Sequence, residues 1–155
     1  VNAHLTAFAI DDTKQKHISG FKNILDDIVS SGYSFVAGGD LNAIPPNATK
    51  TNFCFEDQCS PGDYDPNDDK KGGCDFTEEI TWLNDLYGNY EPAITLDQYR
   101  MNELKHYTHS PGGKLDLDRK LDYLWTNTSW SNGQTHQTAT TLSDHIPITA
   151  DWVVE

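Results

Sequence analysis

Apolar and polar positions along the first part of the chain predict a strand followed by a helix. Residues 1–10 alternate loosely between apolar and polar side chains, which is the pattern of a strand. Residues 12–31 carry apolar side chains at the spacing of an amphipathic helix. Asp12 or Thr13 can cap its start, and Gly32 can end it. The apolar stripe of this helix comprises Ile18, Phe21, Ile24 (or Leu25) and Ile28.

The rest of the chain alternates between apolar runs and turn-forming residues. An apolar run over 33–37 predicts a short buried strand, whereas the abundance of Pro, Gly, Asn and Asp over 45–74 predicts a long irregular segment. A second helix is expected from a capping box over 75–78 to a stop at Gly88. This order of elements indicates a mixed α/β layered fold. Three further strands are predicted at residues 121–125, 134–141 and 146–154.

Composition narrows the class of protein. With 36% hydrophobic side chains, residues 1–155 are expected to form a single domain around one core. A net charge of -13 repels polyanions at long range, which disfavours a module that binds nucleic acid by charge alone. The charge argument does not apply to an enzyme that holds a divalent cation, because the metal supplies local positive charge. The sequence has no apolar run of membrane-spanning length, so no transmembrane segment is expected.

Two glycine- or histidine-containing segments in the first part of the chain are candidates for a site. In Gly38-Gly39-Asp40-Leu41-Asn42, an extended backbone points Asp40 and Asn42 to one face, where a carboxylate and an amide can share a phosphate or a metal. The alternative is an ordinary turn, since Gly, Asp and Asn all favour turns. In Asn2-Ala3-His4-Leu5, His4 lies within a strand, where a structural histidine is more common than a catalytic one.

Two later segments combine carboxylates with an imidazole. Asp144 and His145 precede an apolar strand and together offer a metal ligand and a general acid or base. Asp122 interrupts a strongly apolar strand, and a buried carboxylate there needs a partner. A histidine partner would make a catalytic dyad, whereas Lys120 or Arg119 would make a structural ion pair.

In order along the chain, these segments resemble the second half of the endonuclease/exonuclease/phosphatase superfamily, whose members are deoxyribonuclease I-like. The matching patterns are Asn-x-His-Leu, Gly-Asp-Leu-Asn, Leu-Asp-Tyr-Leu and Ser-Asp-His-x-Pro. The resemblance covers residues 1–155, although no motif matches between Asn42 and Lys105. It implies an α/β (α+β) fold, namely the C-terminal portion of a four-layer α/β/β/α sandwich.

The resemblance also implies metal-dependent hydrolysis of a phosphate ester. Asp40 would orient or deprotonate the attacking water and bind the metal, and Asn42 would hold the phosphate or the nucleophile. Asp144 would be a further metal ligand. Hard oxygen ligands favour Mg²⁺ or Mn²⁺ over softer metals.

The remaining matched residues would act on the phosphate. His145 would contact the scissile phosphate with Asp122 as its orienting partner, and His4 would contact phosphate or assist the leaving group. Thr108 lies between His106 and His109 in a stretch where the family often places substrate-contacting residues. We therefore count Thr108 as a substrate-binding candidate, although no motif fixes the roles of these three residues.

One part of the family pattern is missing from this chain. The principal metal-binding Glu of the family, and an Asn near it, lie in the N-terminal half of the fold. Glu78, Glu79 and Glu103 do not lie in the expected context and are not assigned that role. Because the chain opens in a strand at Val1, we expect a lost N-terminal half or a second chain to complete the sandwich and cover an apolar sheet face.

Two features of the irregular segment stay open. Cys54, Cys59 and Cys74 allow one disulfide in an unspecified pairing plus one free thiol, or three free thiols in a cytosolic protein. Their spacing lacks the paired motif of zinc knuckles. Residues 63–69 resemble a Ca²⁺ loop but lack its glycine and terminal Glu, so a solvated acidic loop is the default. The clustered cysteines favour a secreted or periplasmic protein.

The leading functional hypothesis is therefore a phosphodiesterase or nuclease that acts on a nucleic acid, a lipid headgroup or a small phosphate ester. The first alternative is a non-catalytic family member or fragment that binds a partner. The second is a calcium-stabilised extracellular binding module, which predicts that a chelator lowers the melting temperature of a protein without hydrolytic activity.

Overall fold

The described part of the chain folds into helices, a four-stranded mixed sheet and a separate two-stranded sheet. A computed structural model describes residues 1–7, 13–48, 80–110, 117–139 and 143–153. This architecture confirms the mixed α/β class. The elements are β1 (Asn2–His4), α1 (Thr13–Ser30), β2 (Val36–Asp40), α2 (Asn84–Asn89), β3 (Glu91–Pro92), α3 (Leu96–Met101), a 3₁₀ turn (Glu103–His106), β4 (Asp122–Thr126), β5 (Ser129–Thr135) and β6 (Ile148–Val153).

The larger sheet aligns three of the predicted site residues in one row. Its strand order is β1-β2-β4-β3, with β1 parallel to β2 and β4 antiparallel to β2. His4 is in register with Asp40, and Asp40 is in register with Asp122. Because side chains in register lie on the same face of a sheet, pairing of these strands brings the three polar side chains together.

Helix α1 buries one stripe against the core, as its spacing predicts. Ile18, Phe21 and Leu25 are buried, and Ile28 packs partly against the same cluster. Ile24 is 51% exposed, so Leu25 is the residue that continues the stripe. The predicted cap Asp12 lies outside the described residues.

The C-terminal end of α1 is fixed by Gly32. Its φ of 80° lies in the left-handed region, which glycine adopts without steric cost. The amide of Gly32 donates to the carbonyl of Val29 at 2.9 Å, and the amide of Tyr33 donates to that of Ile28 at 3.1 Å. This pair of hydrogen bonds is the Schellman motif, which satisfies carbonyls at a helix end.

The core lies on the face of the sheet opposite the row of polar residues. Along β4, Tyr123 and Trp125 are buried while Asp122 and Leu124 are only partly covered. The rings of Tyr123 and Trp125 stack with centroids 5.7 Å apart. Strand alternation therefore anchors β4 through its aromatic residues and leaves Asp122 on the other face. The core cluster comprises Ile18, Phe21, Leu25, Phe35, Ala37, Leu41, Ala43, Leu83, Leu86, Tyr90, Tyr123 and Trp125.

Three predicted boundaries differ from the structure. The strand expected over residues 1–10 covers only Asn2–His4, and residues 8–10 lie outside the described residues. The strand expected at 33–37 runs instead from Val36 to Asp40, so the glycine pair lies within it. Close packing explains why glycine is needed there, since a Cβ on Gly38 would lie 2.1 Å from the carbonyl oxygen of Tyr123. Helix α2 continues one residue past its predicted stop at Gly88. Its predicted capping box lies outside the described residues.

The last two strands form a hairpin whose start the sequence pattern misplaces. Strand β5 begins at Ser129 rather than at residue 134, and residues 136–139 lie beyond its end. The sequence of β5 is polar and shows little alternation of apolar side chains. The extent of β5 is therefore set by its pairing with β6, in which Trp130 lies opposite Trp152. Strand β6 covers Ile148–Val153, inside the predicted range. Within the described ranges, no helix is both long and apolar enough to cross a membrane.

Candidate active site

Asp40 ends strand β2 and is the centre of the polar row. Its side chain is 15% exposed, and the Nε2 atoms of His4 and His145 lie 3.5 Å and 3.7 Å from its Oδ2 atom. Burial raises the pKa of Asp40, and the neighbouring carboxylate of Asp122 adds to the increase. A carboxylate with a raised pKa is a better proton acceptor than an exposed aspartate, as a general base requires.

Asn42 supports Asp40 through a tight turn rather than through the extended backbone that we predicted. Asn42 has a φ of 48°, and its backbone amide donates to Asp40 Oδ1 at 2.8 Å. Its side-chain amide donates to Asp40 Oδ2 and to the carbonyl of Leu5, both at 3.0 Å. Both amide hydrogens are therefore engaged within the protein, and the role of Asn42 in holding the phosphate or the nucleophile stays a prediction. The side-chain carbonyl oxygen is the atom that Asn42 can offer to the nucleophile.

Asp122 and His145 form a hydrogen-bonded pair. The Oδ2 atom of Asp122 lies 2.8 Å from His145 Nδ1. This hydrogen bond raises the pKa of His145, with further help from the charges of Asp122 and Asp40. Because Asp122 holds Nδ1, Nε2 is the nitrogen that faces Asp40 and any ligand.

The alternative ionic partners of Asp122 are placed elsewhere. Lys120 Nζ donates to the backbone carbonyl of Asp122 at 2.6 Å and lies 4.5 Å from the centroid of the Tyr123 ring. Arg119 Nε donates to Asp118 at 2.7 Å. Lys120 is almost completely buried, and burial lowers its pKa to about 7. Lys120 thus contacts the main chain of Asp122 and leaves the carboxylate to His145.

His4 lies at the exposed rim of the site. Its side chain is 79% exposed, and Asp40 is its nearest acidic neighbour at 3.5 Å. The register between β1 and β2 sets this position. An exposed imidazole beside a partly buried carboxylate can reach a bound substrate without displacing the core.

Thr108 lies in the interior of the described fold. Its side chain is completely buried, and its role in substrate binding stays a prediction. Its hydroxyl oxygen accepts hydrogen bonds from the amides of Leu121 at 2.9 Å and Asp122 at 3.1 Å. Its carbonyl accepts from the amide of Ile146 at 2.7 Å. Thr108 therefore joins the segments that carry Asp122 and His145.

A second histidine–carboxylate pair lies beside the first and was missed by motif analysis. His109 Nδ1 lies 2.9 Å from Asp118 Oδ1, and the rings of His109 and His145 meet edge to face with centroids 5.1 Å apart. Burial tends to raise the pKa of Asp118, but hydrogen bonds from His109 and Arg119 outweigh this effect and lower it. Spacing gave no signal for this pair, because nine residues separate its members.

Asp144 is exposed. The Ser143 hydroxyl donates to Asp144 Oδ1 at 3.0 Å, and this hydrogen bond lowers the pKa of Asp144. Within the described ranges, two groups of side chains place possible metal-ligand atoms within 4.8 Å of one another. Asp40 and Asp144, predicted to bind one metal, fall in different groups that share His145. The groups are Asp40, Asp122 and His145, and His109, Asp144 and His145.

A cleft of about 290 Å³ opens beside the Asp122–His145 pair. Gly39, Asp122 and His145 line its polar end. Its other lining residues are mainly apolar: Tyr123, Leu124, Ile146, Pro147 and Ile148. A volume of this size can hold a small polar group next to an apolar one.

No protein-family model matches the chain, and no curated protein matches it significantly. The cysteines at 54, 59 and 74 and the acidic segment 63–69 lie outside the described residues.

Proposed function

We propose that this chain carries the catalytic centre of a metal-dependent hydrolase of phosphodiesters, as the C-terminal part of a deoxyribonuclease I-like sandwich. The observation that carries the proposal is the cluster of Asp40, Asp122 and His145, with His4 at its rim. Four segments far apart in sequence contribute to it. Each has the residue type that the family pattern requires at that point.

The two carboxylates supply the negative charge that a hard cation needs. Carboxylate oxygens of Asp40 and Asp122 belong to a group of ligand atoms within 4.8 Å of one another, a spacing that one Mg²⁺ or Mn²⁺ ion can bridge. Asp40 and Asp122 would hold the ion. When bound, it would polarise the phosphoryl oxygens and offset their negative charge.

Within the cluster, Asp40 is the proton acceptor and Asn42 fixes its orientation. Asp40 accepts a proton from the attacking water. Asn42 holds both oxygens of Asp40 and so fixes the direction from which the water is deprotonated. The carboxylate therefore keeps the orientation in which it accepts the proton, without a change of rotamer.

The imidazoles act on the phosphate. Asp122 raises the pKa of His145, so the ring carries a proton at neutral pH more often than a free histidine would. The protonated Nε2 can donate to a non-bridging oxygen, where negative charge develops during hydrolysis. His4, exposed at the rim, would donate a proton to the leaving oxygen.

The substrate class is tested with activated esters. The chain is incubated with bis(p-nitrophenyl) phosphate or with p-nitrophenyl phosphate, in Mg²⁺, in Mn²⁺ or in chelator. We expect metal-dependent release of nitrophenol, faster from the diester. Equal rates in metal and chelator would contradict the metal requirement, and hydrolysis of the monoester alone would contradict the diester class. If neither ester is cleaved, the same assay on a form of the protein extended at its N-terminus decides between an incomplete enzyme and a binding protein.

A further inference from the structure

The group of His109, Asp144 and His145 lies next to the proposed catalytic cluster, and the mechanism above uses only His145. Ligand atoms of the three side chains lie within 4.8 Å of one another. Backbone contacts hold the two segments together, since His109 and His145 form a bridge and Ser110 donates to the carbonyl of Asp144 at 2.9 Å. The proximity of these ligands is therefore built into the fold.

Both histidines are oriented in the way that metal-binding histidines are. Asp118 holds Nδ1 of His109 at 2.9 Å, and Asp122 holds Nδ1 of His145 at 2.8 Å. Nε2 of each ring is then the nitrogen that an external ligand can use. A carboxylate behind the distal nitrogen fixes the tautomer and increases the basicity of the ligating nitrogen. Arg119 in turn fixes Asp118 through Nε at 2.7 Å.

The site is open on one side. The side chains of His109 and His145 are 18% and 29% exposed, and Asp144 is exposed. An ion can therefore enter from solvent, while the two rings are held by partly buried carboxylates. Three protein ligands leave a coordination position for water or a substrate oxygen, as in catalytic zinc sites.

We propose that His109, Asp144 and His145 form a binding site for a first-row transition metal ion of the Zn²⁺ type. Two imidazoles and one carboxylate suit Zn²⁺ or Co²⁺, whereas Mg²⁺ prefers an all-oxygen set. The site shares His145 with the group of Asp40, Asp122 and His145, so an ion bound here would occupy the Nε2 atom that the proposed mechanism uses as a donor. It does not depend on hydrolytic activity, because it is defined by binding.

Co²⁺ is the probe, because its visible absorption reports coordination. The whole chain is titrated with Co²⁺, and Zn²⁺ is then added as a competitor. We expect one ion whose bands indicate nitrogen and oxygen ligands, without the ultraviolet charge-transfer band of a thiolate, and displacement by Zn²⁺. A thiolate band would place the ion on the cysteines and overturn the proposal, as would an absence of binding.

Three variants localise the ion. His109→Ala and Asp144→Asn are each expected to weaken Co²⁺ binding at least about tenfold, since each removes a ligand. Asp144 is exposed, so its variant keeps the fold. His17→Ala, on an exposed histidine of α1, is the matched control and should leave the affinity unchanged. Equal affinity in the unaltered chain and in both site variants would overturn the proposal.

A fourth variant tests the supporting carboxylate. Asp118→Asn keeps the size of the side chain but weakens its hold on His109, and should lower Co²⁺ affinity about 10- to 100-fold. Asp85→Asn, on an exposed residue of α2, is its control. The far-ultraviolet circular dichroism of each variant verifies that the fold is kept. An Asp118→Asn variant that is folded and binds Co²⁺ as tightly as the unaltered chain would contradict the orientation argument.

Discussion

At the scale of single residues, the account rests on how carboxylates hold imidazoles. Asp122 holds His145 and Asp118 holds His109, each through Nδ1. The first pair could be anticipated, because Asp122 interrupts an apolar strand and a buried carboxylate needs a partner. The second could not, because neither His109 nor Asp118 lies in a recognisable motif, and the chain must fold before they meet.

Replacing Asp122 tests the first pair. In Asp122→Asn, the hydrogen bond and the negative charge that raise the pKa of His145 are weakened, so that pKa should fall toward its ordinary value of about 6.5. Hydrolysis should slow by roughly 10²- to 10⁴-fold, as expected when a general acid or base is disoriented. The pKa is read from the pH titration of the imidazole resonances.

Asp151→Asn is the matched control, at an exposed residue of β6 whose carboxylate accepts a hydrogen bond from Asn132. It should alter neither the pKa of His145 nor the rate of hydrolysis. A His145 pKa that is the same in Asp122→Asn as in the unaltered chain would show that Asp122 does not set the protonation of His145.

At the scale of elements, strand β2 shows where sequence reasoning succeeds and where it stops. The apolar run before Asp40 predicted a strand, but the strand lies three residues further on and includes both glycines. A glycine pair signals either a turn or close packing. The choice depends on β1 and β4, which press against Gly39 and Gly38 from either side. Such long-range packing cannot be read from local spacing.

The role of Gly39 can be measured against a helical glycine. Gly39 has a φ of 131°, and a Cβ there would lie 2.1 Å from the carbonyl oxygen of Ala3. Gly39→Ala should therefore lower the free energy of unfolding by at least about 2 kcal/mol, because it combines backbone strain with overpacking. Denaturant unfolding gives the value.

Gly20 provides the control, because it lies in α1 and a Cβ there meets nothing within 4 Å. Gly20→Ala should raise stability by about 0.5–1 kcal/mol. A free energy of unfolding that is no lower in Gly39→Ala than in Gly20→Ala would contradict the close approach of β1 to β2 at Gly39.

At the scale of the whole molecule, the mixed α/β class follows from the hydrophobic pattern, whereas the arrangement of the site does not. Pattern and spacing predict that strands end in polar residues, but they do not say which ends meet. The sheet order β1-β2-β4-β3 brings His4, Asp40 and Asp122 into one row. Thr108 then joins the segment of His145 to β4. The strand order and the hydrogen bonds of Thr108 thus bring the residues of the site together.

Burial of Lys120 links the stability of the whole fold to pH. Its pKa is about 7 in the folded protein and about 10.4 in an unfolded chain. Between these values the unfolded state binds more protons, so this residue makes stability rise with pH. From pH 7 to pH 9 its contribution should increase by about 2 kcal/mol. Below about pH 6 the amine is protonated in both states and the penalty is constant.

Lys120→Met removes this titration while keeping a long side chain. The rise in unfolding free energy between pH 7 and pH 9 should be smaller in the variant than in the unaltered chain by that amount. Lys105→Met, at an exposed lysine, should leave the pH dependence unchanged. Identical pH profiles for Lys120→Met and the unaltered chain would mean that the amine stays charged in the folded state.

The most direct test of the central claim is the metal-dependent hydrolysis of bis(p-nitrophenyl) phosphate by four variants of the catalytically active form. We predict that Asp40→Ala and His145→Ala each lower kcat/KM at least about 10²-fold. Asp85→Ala and His17→Ala, at exposed positions away from the cluster, should retain full activity. Turnover that survives in folded Asp40→Ala and His145→Ala proteins would contradict the assignment of catalysis to this cluster.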